Sequence, residues 1–147
     1  MTGEPPARKR LVLDANILLR AALGVRVLEL LETYEDSVDF FAPQVCFSDA
    51  RRHITALASK RHFDPELAFR LLDRLPEFVE PVEHSLYGGY EESALQRIAS
   101  RDPDDWPIVA TALLLDCPIW TEDQDFFGSG VATWITATVE VYLRDAS

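Results

Sequence analysis

The chain has 147 residues, which suits one compact domain and leaves little room for two. Hydrophobic residues make up 48%, so wholesale disorder is excluded. With 25 acidic against 14 basic side chains the formal net charge is −11, which argues against a protein that grips nucleic acid by covering phosphates with lysine and arginine. The balance leaves open a nucleic-acid site neutralised by bound cations or by a basic partner. Cys46 and Cys117 sit in apolar surroundings and read as buried thiols, since two cysteines make neither a metal pattern nor a disulfide framework. Residues 1–9 are polar and proline-bearing and read as a flexible leader without the apolar core of a signal peptide, ahead of a single domain over 10–147. No apolar run approaches the roughly 20 residues of a membrane span, so a cytoplasmic protein is expected.

In chain order, Leu11-Val12-Leu13 is an apolar run that stops at Asp14 and predicts a buried strand. Ala15 to Leu23 predicts a helix interrupted by Gly24, and Val25 to Tyr34 another, with Val27, Leu28, Leu30 and Leu31 at helical spacing. Val38 to Phe41 is a second strand, ended by Pro43. Val45 to Ser59 is helical in composition. Asp64 and Pro65 look like the cap and first residue of a helix running to about Leu75. Phe78-Val79, before Pro81, is a third strand candidate, and Leu95 to Ala99 belongs to a helix with Glu91 and Glu92 near its start. Ile108 to Leu115 is a strongly apolar helix, Ile119-Trp120-Thr121 a strand, Val131 to Ile135 another, and 136–144 a last helix. Strands alternating with helices predict an α/β fold with a mainly parallel sheet of four to five strands, flanked by helices in three layers. Ligand sites in such folds lie outside the carboxyl ends of the strands, where Asp14, Asp123 and Asp125 fall.

The acidic residues carry the chemistry. Asp14 follows a buried strand, where a carboxylate is costly unless it is hydrogen-bonded, paired or bound to a metal. Asn16 is placed to hydrogen-bond it. The plainer reading makes Asp14 an ordinary helix cap. Asp102, Asp104 and Asp105 crowd ahead of the apolar helix, and Asp102 and Asp105 have the spacing of a capping box. One cap needs one acid, however, and three like charges in four residues repel unless a cation relieves them. After the fourth strand, Asp123 and Asp125 point to one side if the chain stays extended. Asp49 falls on a predicted helix with His53 one turn later. Hard oxygen donors without a histidine or thiolate partner suit Mg²⁺ or Mn²⁺, and His53, His62 and His84 show no zinc-ligand spacing. Phosphoryl transfer is the chemistry these ions do best with such ligands.

These residues resemble a known pattern. Leu13-Asp14-Ala15-Asn16-Ile17-Leu18-Leu19 resembles the opening element of PIN domains. The segment from Asp102 to Ala112 resembles their third acidic motif, and Ile119 to Phe126 their last. The resemblance covers about residues 10–143. It implies a Rossmann-like parallel sheet and metal-dependent cleavage of RNA. Carried over residue by residue, Asp14, Asp105 and Asp123 match metal-binding aspartates. Asp102 and Asp125 match auxiliary acids, Thr121 the hydroxyl residue of the last motif, and Asp49 the fourth catalytic acid. At that place the family usually carries glutamate, one methylene longer. Arg20, Arg51, Arg52, Lys60 and Arg61 are candidate substrate-guiding bases.

The function expected from this resemblance is a Mg²⁺-dependent endoribonuclease, with Mn²⁺ able to substitute, acting as the toxin of a type II toxin–antitoxin pair of the VapC kind. Its partners would be an RNA substrate, a cognate antitoxin and, through an apolar helix such as 27–31, a second copy of the chain. The alternative is a catalytically impaired PIN-like module that acts by binding protein or RNA, motivated by Asp49 and by the acidic balance. A phosphatase with Asp14 as nucleophile ranks lower, because the place two residues on is Asn16 rather than a second aspartate.

Overall fold

Leu11, Val12 and Leu13 are wholly buried at the centre of a five-stranded sheet. A strand covered on both faces reads as a continuous apolar run, which is how this one appears in the sequence. The computed structural model describes residues 8–98 and 101–144. Over these the order is β1 (Lys9–Leu13), α1 (Ala15–Leu23), α2 (Arg26–Tyr34), β2 (Val38–Pro43), α3 (Gln44–Lys60), α4 (Pro65–Arg74), β3 (Val79–Val82), α5 (His84–Tyr87), α6 (Glu91–Ile98), α7 (Trp106–Leu115), β4 (Ile119–Trp120), β5 (Thr133–Trp134) and α8 (Val139–Arg144). Four short 3-10 turns, at Leu75–Glu77, Gly88–Tyr90, Pro103–Asp105 and Gln124–Phe126, lie between them.

The strands run β3-β2-β1-β4-β5, and each neighbouring pair is parallel. In register, Val12 lies beside Phe41 on one side and Ile119 on the other. The helices fall into two packing groups: α1, α3 and α4 contact one another, while α5 and α6 both contact α7, which lies against β1, β2 and β4. Helix α7 is apolar all round and buried from Pro107 to Ala112, as expected of a helix pressed directly onto a sheet. The chain leaves β1 towards β2 and β3 on one side, and later returns to place β4 on the other. A crevice therefore opens at the carboxyl ends of β1 and β4.

Several boundaries differ from expectation. The first strand begins at Lys9, so the leader assumed for 1–9 is too long. Arg8 is already tied to the end of α2 and the start of β2, donating to Asp39 at 2.9 Å and to the Glu35 carbonyl at 2.6 Å. Residues 1–7 and Ala99 lie outside the described residues. The third strand includes Pro81 rather than stopping before it, since an edge strand tolerates a missing donor. The last helix starts only at Val139, and α5 was not foreseen. The expected cap at Asp64 is present, its carboxylate accepting from Glu66 N at 3.0 Å with Pro65 in the first turn. Cys46 is buried and Cys117 half-buried, both as free thiols. Among the described residues no helix is long and apolar enough to cross a membrane.

Leu11 has no exposed surface, so Leu11→Ala is expected to lower the unfolding free energy by about 2–5 kcal/mol. Asp64→Ala, which removes one cap, is expected to cost about 1 kcal/mol. Urea denaturation of the two variants checks the ranking, and a larger loss for Asp64→Ala would contradict it.

Candidate active site

Asp14 ends β1 and stands at the cap position of α1, yet its side chain makes no capping hydrogen bond. Its Oδ2 instead accepts from Thr121 Oγ1 at 2.7 Å, across the crevice, and from Asn16 Nδ2 at 3.2 Å. The cap explanation of Asp14 is thereby set aside. The carboxyl ends of the two strands are also tied through the backbone, Asp14 N donating to Trp120 O at 3.1 Å. Thr121 Oγ1 accepts in turn from Asp123 N at 2.9 Å. Asn16 has a second task, its Oδ1 accepting from Glu122 N at 3.4 Å. Asn16 and Thr121 thus fix Asp14 and the segment after β4 against each other.

The chain does not stay extended past Asp123. It closes into the 3-10 turn at Gln124–Phe126, with Asp123 Oδ1 accepting from Asp125 N at 2.9 Å. This corrects the extended reading of Asp123 and Asp125, because the Asp side chain offers the backbone a local alternative to the strand. The same device recurs at Asp102, whose Oδ1 accepts from Asp104 N at 3.0 Å ahead of Pro103–Asp105. The reciprocal half of a capping box is not made. Asp105 Oδ2 is buried and has no hydrogen-bond partner.

Carboxylate oxygens of Asp102, Asp105 and Asp125 come within 4.8 Å of one another. Burial pushes the Asp105 carboxyl up to about 7, and the charges of Asp14, Asp102, Asp123 and Asp125 push it the same way. Burial also raises Asp14, opposed by its hydrogen bonds from Thr121 and the neighbouring amides and reinforced by Asp123. The charges of Asp14 and Asp105 both act on Cys46, whose thiol is raised first by its burial. Cys46 is buried one turn before Asp49 on α3.

Asp49 is placed differently from the other acids. Its carboxylate is ion-paired with Arg52 on the same helix, and it is not among the charges acting most on Asp14 or Asp105. Of the candidate guiding bases, Arg51 is paired with Asp73, and Arg20 lies 3.9 Å from Glu122. Two bases not singled out in the sequence bind the stretch after β4 instead. Arg101 donates to Gln124 O at 3.1 Å and Arg97 to Ser129 O at 2.9 Å. A cavity of about 500 Å³ lined by Glu35, Asp39, Phe78 and Glu80 opens at the amino ends of β2 and β3, away from this constellation.

A family model described as PIN domain matches residues 12–144. The chain belongs to the PIN-domain family. Solved PIN-like folds agree with it along most of their length. VapBC2 from Rickettsia felis, bound to a DNA fragment from its promoter, superposes with a TM-score of 0.66 at 12% identity, over 86% of this chain and 98% of that one. FitAcB from Neisseria gonorrhoeae gives 0.59 at 17% identity over 86% and 98%. A toxin–antitoxin complex from Klebsiella pneumoniae gives 0.56 at 17% over 80% and 91%. No curated protein matches by sequence. PIN domains typically take a divalent metal, and the donors present fit one: they are hard oxygens, and one of them, Asp105 Oδ2, is buried with nothing to bind.

Without metal, Asp105 binds its proton more tightly in this PIN domain than in the unfolded chain, where an ordinary aspartate titrates near 4. The folded state is therefore penalised as pH rises from about 4 to about 7. Asp105→Asn removes the titrating group, so its melting temperature in EDTA should gain on that of the parent across this window, by roughly 3–8 °C at the upper end. A difference between the two proteins that does not vary with pH would rule out a raised Asp105.

Proposed function

We propose that this PIN domain is a Mg²⁺-dependent endoribonuclease, with Mn²⁺ able to replace Mg²⁺, and that it serves as the toxin of a toxin–antitoxin pair. The observation that carries the reading is the convergence of Asp14, Asp102, Asp105, Asp123 and Asp125 around the unpartnered Asp105 Oδ2 at the carboxyl ends of β1 and β4. Asp14, Asp105 and Asp123 are the proposed cation ligands, with Asp102 and Asp125 as auxiliary acids. When bound, the cation would offset the charge of the site and of a scissile phosphate and would make a water acidic enough to attack it.

The chain's own groups prepare that site. The Thr121 hydroxyl donates to Asp14 Oδ2 and leaves the other oxygen of that carboxyl free of this bond. Asn16 fixes the same carboxylate from the α1 side. Asp105, whose carboxyl is raised to about 7, would give up its proton on holding a cation. The acidic balance of the chain favours an RNA that approaches together with cations.

A protein antitoxin is proposed because the solved neighbours include toxin–antitoxin complexes. A homodimer is also proposed, but not through the apolar face of α2 expected from the sequence, because Val27, Leu30 and Leu31 are buried in the chain's own core. The alternative, a PIN-like module that binds without cleaving, draws on one observation: Asp49, proposed from sequence as the fourth catalytic acid, is engaged by Arg52.

With purified protein, Mg²⁺ and a labelled single-stranded RNA, Asp14→Asn is expected to reduce cleavage by at least about 100-fold. Asp49→Asn is expected to cost less, because its carboxylate already faces Arg52. Undiminished cleavage by Asp14→Asn would remove Asp14 from the site, and absence of cleavage by the parent at millimolar Mg²⁺ and Mn²⁺ would favour the non-cleaving module.

A further inference from the structure

Asp125 and the pair Asp102 and Asp105 lie on two separate segments, both without regular strand or α-helix. Their carboxylates repel, so something has to hold the segments face to face before any cation arrives. Hydrogen bonds inside each segment, from Asp104 N to Asp102 and from Asp125 N to Asp123, shape the turns but do not join them. Among the described residues, side-chain hydrogen bonds from the flank of one to the stretch of the other are made by two guanidinium groups four residues apart.

We infer that Arg97 and Arg101 are positioning residues for the cation, clasping the segment that carries Asp123 and Asp125 onto the one that carries Asp102 and Asp105. The inference rests on the metal-dependent reading above. Arg97, in the last turn of α6, donates to Ser129 O at 2.9 Å. Arg101, directly before Asp102, donates to Gln124 O at 3.1 Å, between Asp123 and Asp125 in sequence. The receiving segment is built for close approach. A Cβ on Gly130 would fall 2.3 Å from Arg97 Nη1, and one on Gly128 would lie 3.4 Å from Arg101 Nη2. Both glycines have positive φ, 88° at Gly128 and 84° at Gly130, which turns the chain back under the two guanidiniums. Neither arginine has a carboxylate partner within 4.0 Å among the described residues, so their charges are not consumed by surface ion pairs.

A clasp of this kind acts on metal affinity through the geometry of the ligands, and partners one step removed from a metal typically change affinity by about 10- to 100-fold. The test is calorimetric titration of Mn²⁺ into Arg101→Gln, Arg101→Lys and Arg97→Gln, beside the parent chain. Both glutamine variants should bind Mn²⁺ at least about 10-fold more weakly, with Arg101→Lys recovering part of the loss, while their melting temperatures in EDTA stay near that of the parent. RNA binding in Ca²⁺ is measured alongside, because an arginine that merely held phosphate would weaken RNA binding and leave Mn²⁺ affinity unchanged. Mn²⁺ affinities of both glutamine variants within two-fold of the parent, in a parent that binds Mn²⁺ and cleaves RNA, would overturn the clasp alone. A parent that takes up no Mn²⁺ would overturn the metal-dependent reading and the clasp with it.

Discussion

Mutual repulsion among carboxylates is the constraint that the rest of this site answers to. Asp14, Asp102, Asp105, Asp123 and Asp125 come from three separate stretches of chain, and each is pushed away from the others in the absence of a cation. The sheet supplies the first countermeasure. Parallel pairing of β1 with β4 sets Asp14 beside the start of the Asp123 segment, and the Thr121 hydroxyl fastens the join. Helix α7 supplies the second, because its apolar body is pressed onto β1, β2 and β4, so the turn at its amino end has little freedom to withdraw Asp105. Covalent connection and core packing thus hold in place an arrangement that electrostatics alone would disperse.

The raised Asp105 carboxyl follows from the same constraint. Burial is the larger cause and neighbouring acids the lesser. A group shifted this way destabilises the empty fold and favours whatever neutralises it, whether proton or metal. Stability given up at one residue becomes affinity for a cation, which is a common bargain at functional sites.

Much of this was legible in the sequence, for identifiable reasons. Leu11 to Leu13 reads as a strand because burial on both faces leaves no polar alternation, and α7 reads as a helix because its apolar run is too long for a strand. Asp14 and Asp123 stand out because they follow apolar runs that read as strands, where an α/β sheet puts its chemistry, and Asp105 because it is crowded with other acids ahead of an apolar helix. Short elements were less so. Four residues of α5 and two of β5 are too few to show a period, and Pro81 was taken to end a strand whose outer edge in fact accommodates it. The pairing of Asp49 with Arg52 is a matter of side-chain orientation, which no pattern of residue types encodes. Arg97 and Arg101 went unnoticed because their partners, Ser129 and Gln124, are backbone carbonyls more than twenty residues away. Their spacing of four, just ahead of Asp102, with glycines at 128 and 130, was the only available trace.

The two borders of the sheet bear on how this protein can associate. β5 offers just two residues, Thr133 and Trp134, and β3 carries Pro81, which has no amide hydrogen to give. Neither border is a good template for an incoming strand, and short or proline-bearing margins are a known safeguard against sheet-to-sheet accretion. Self-association or capture of a partner by this fold therefore falls to helix surfaces and side chains, which leaves the five-stranded register, and the carboxylates hung from it, undisturbed by whatever docks.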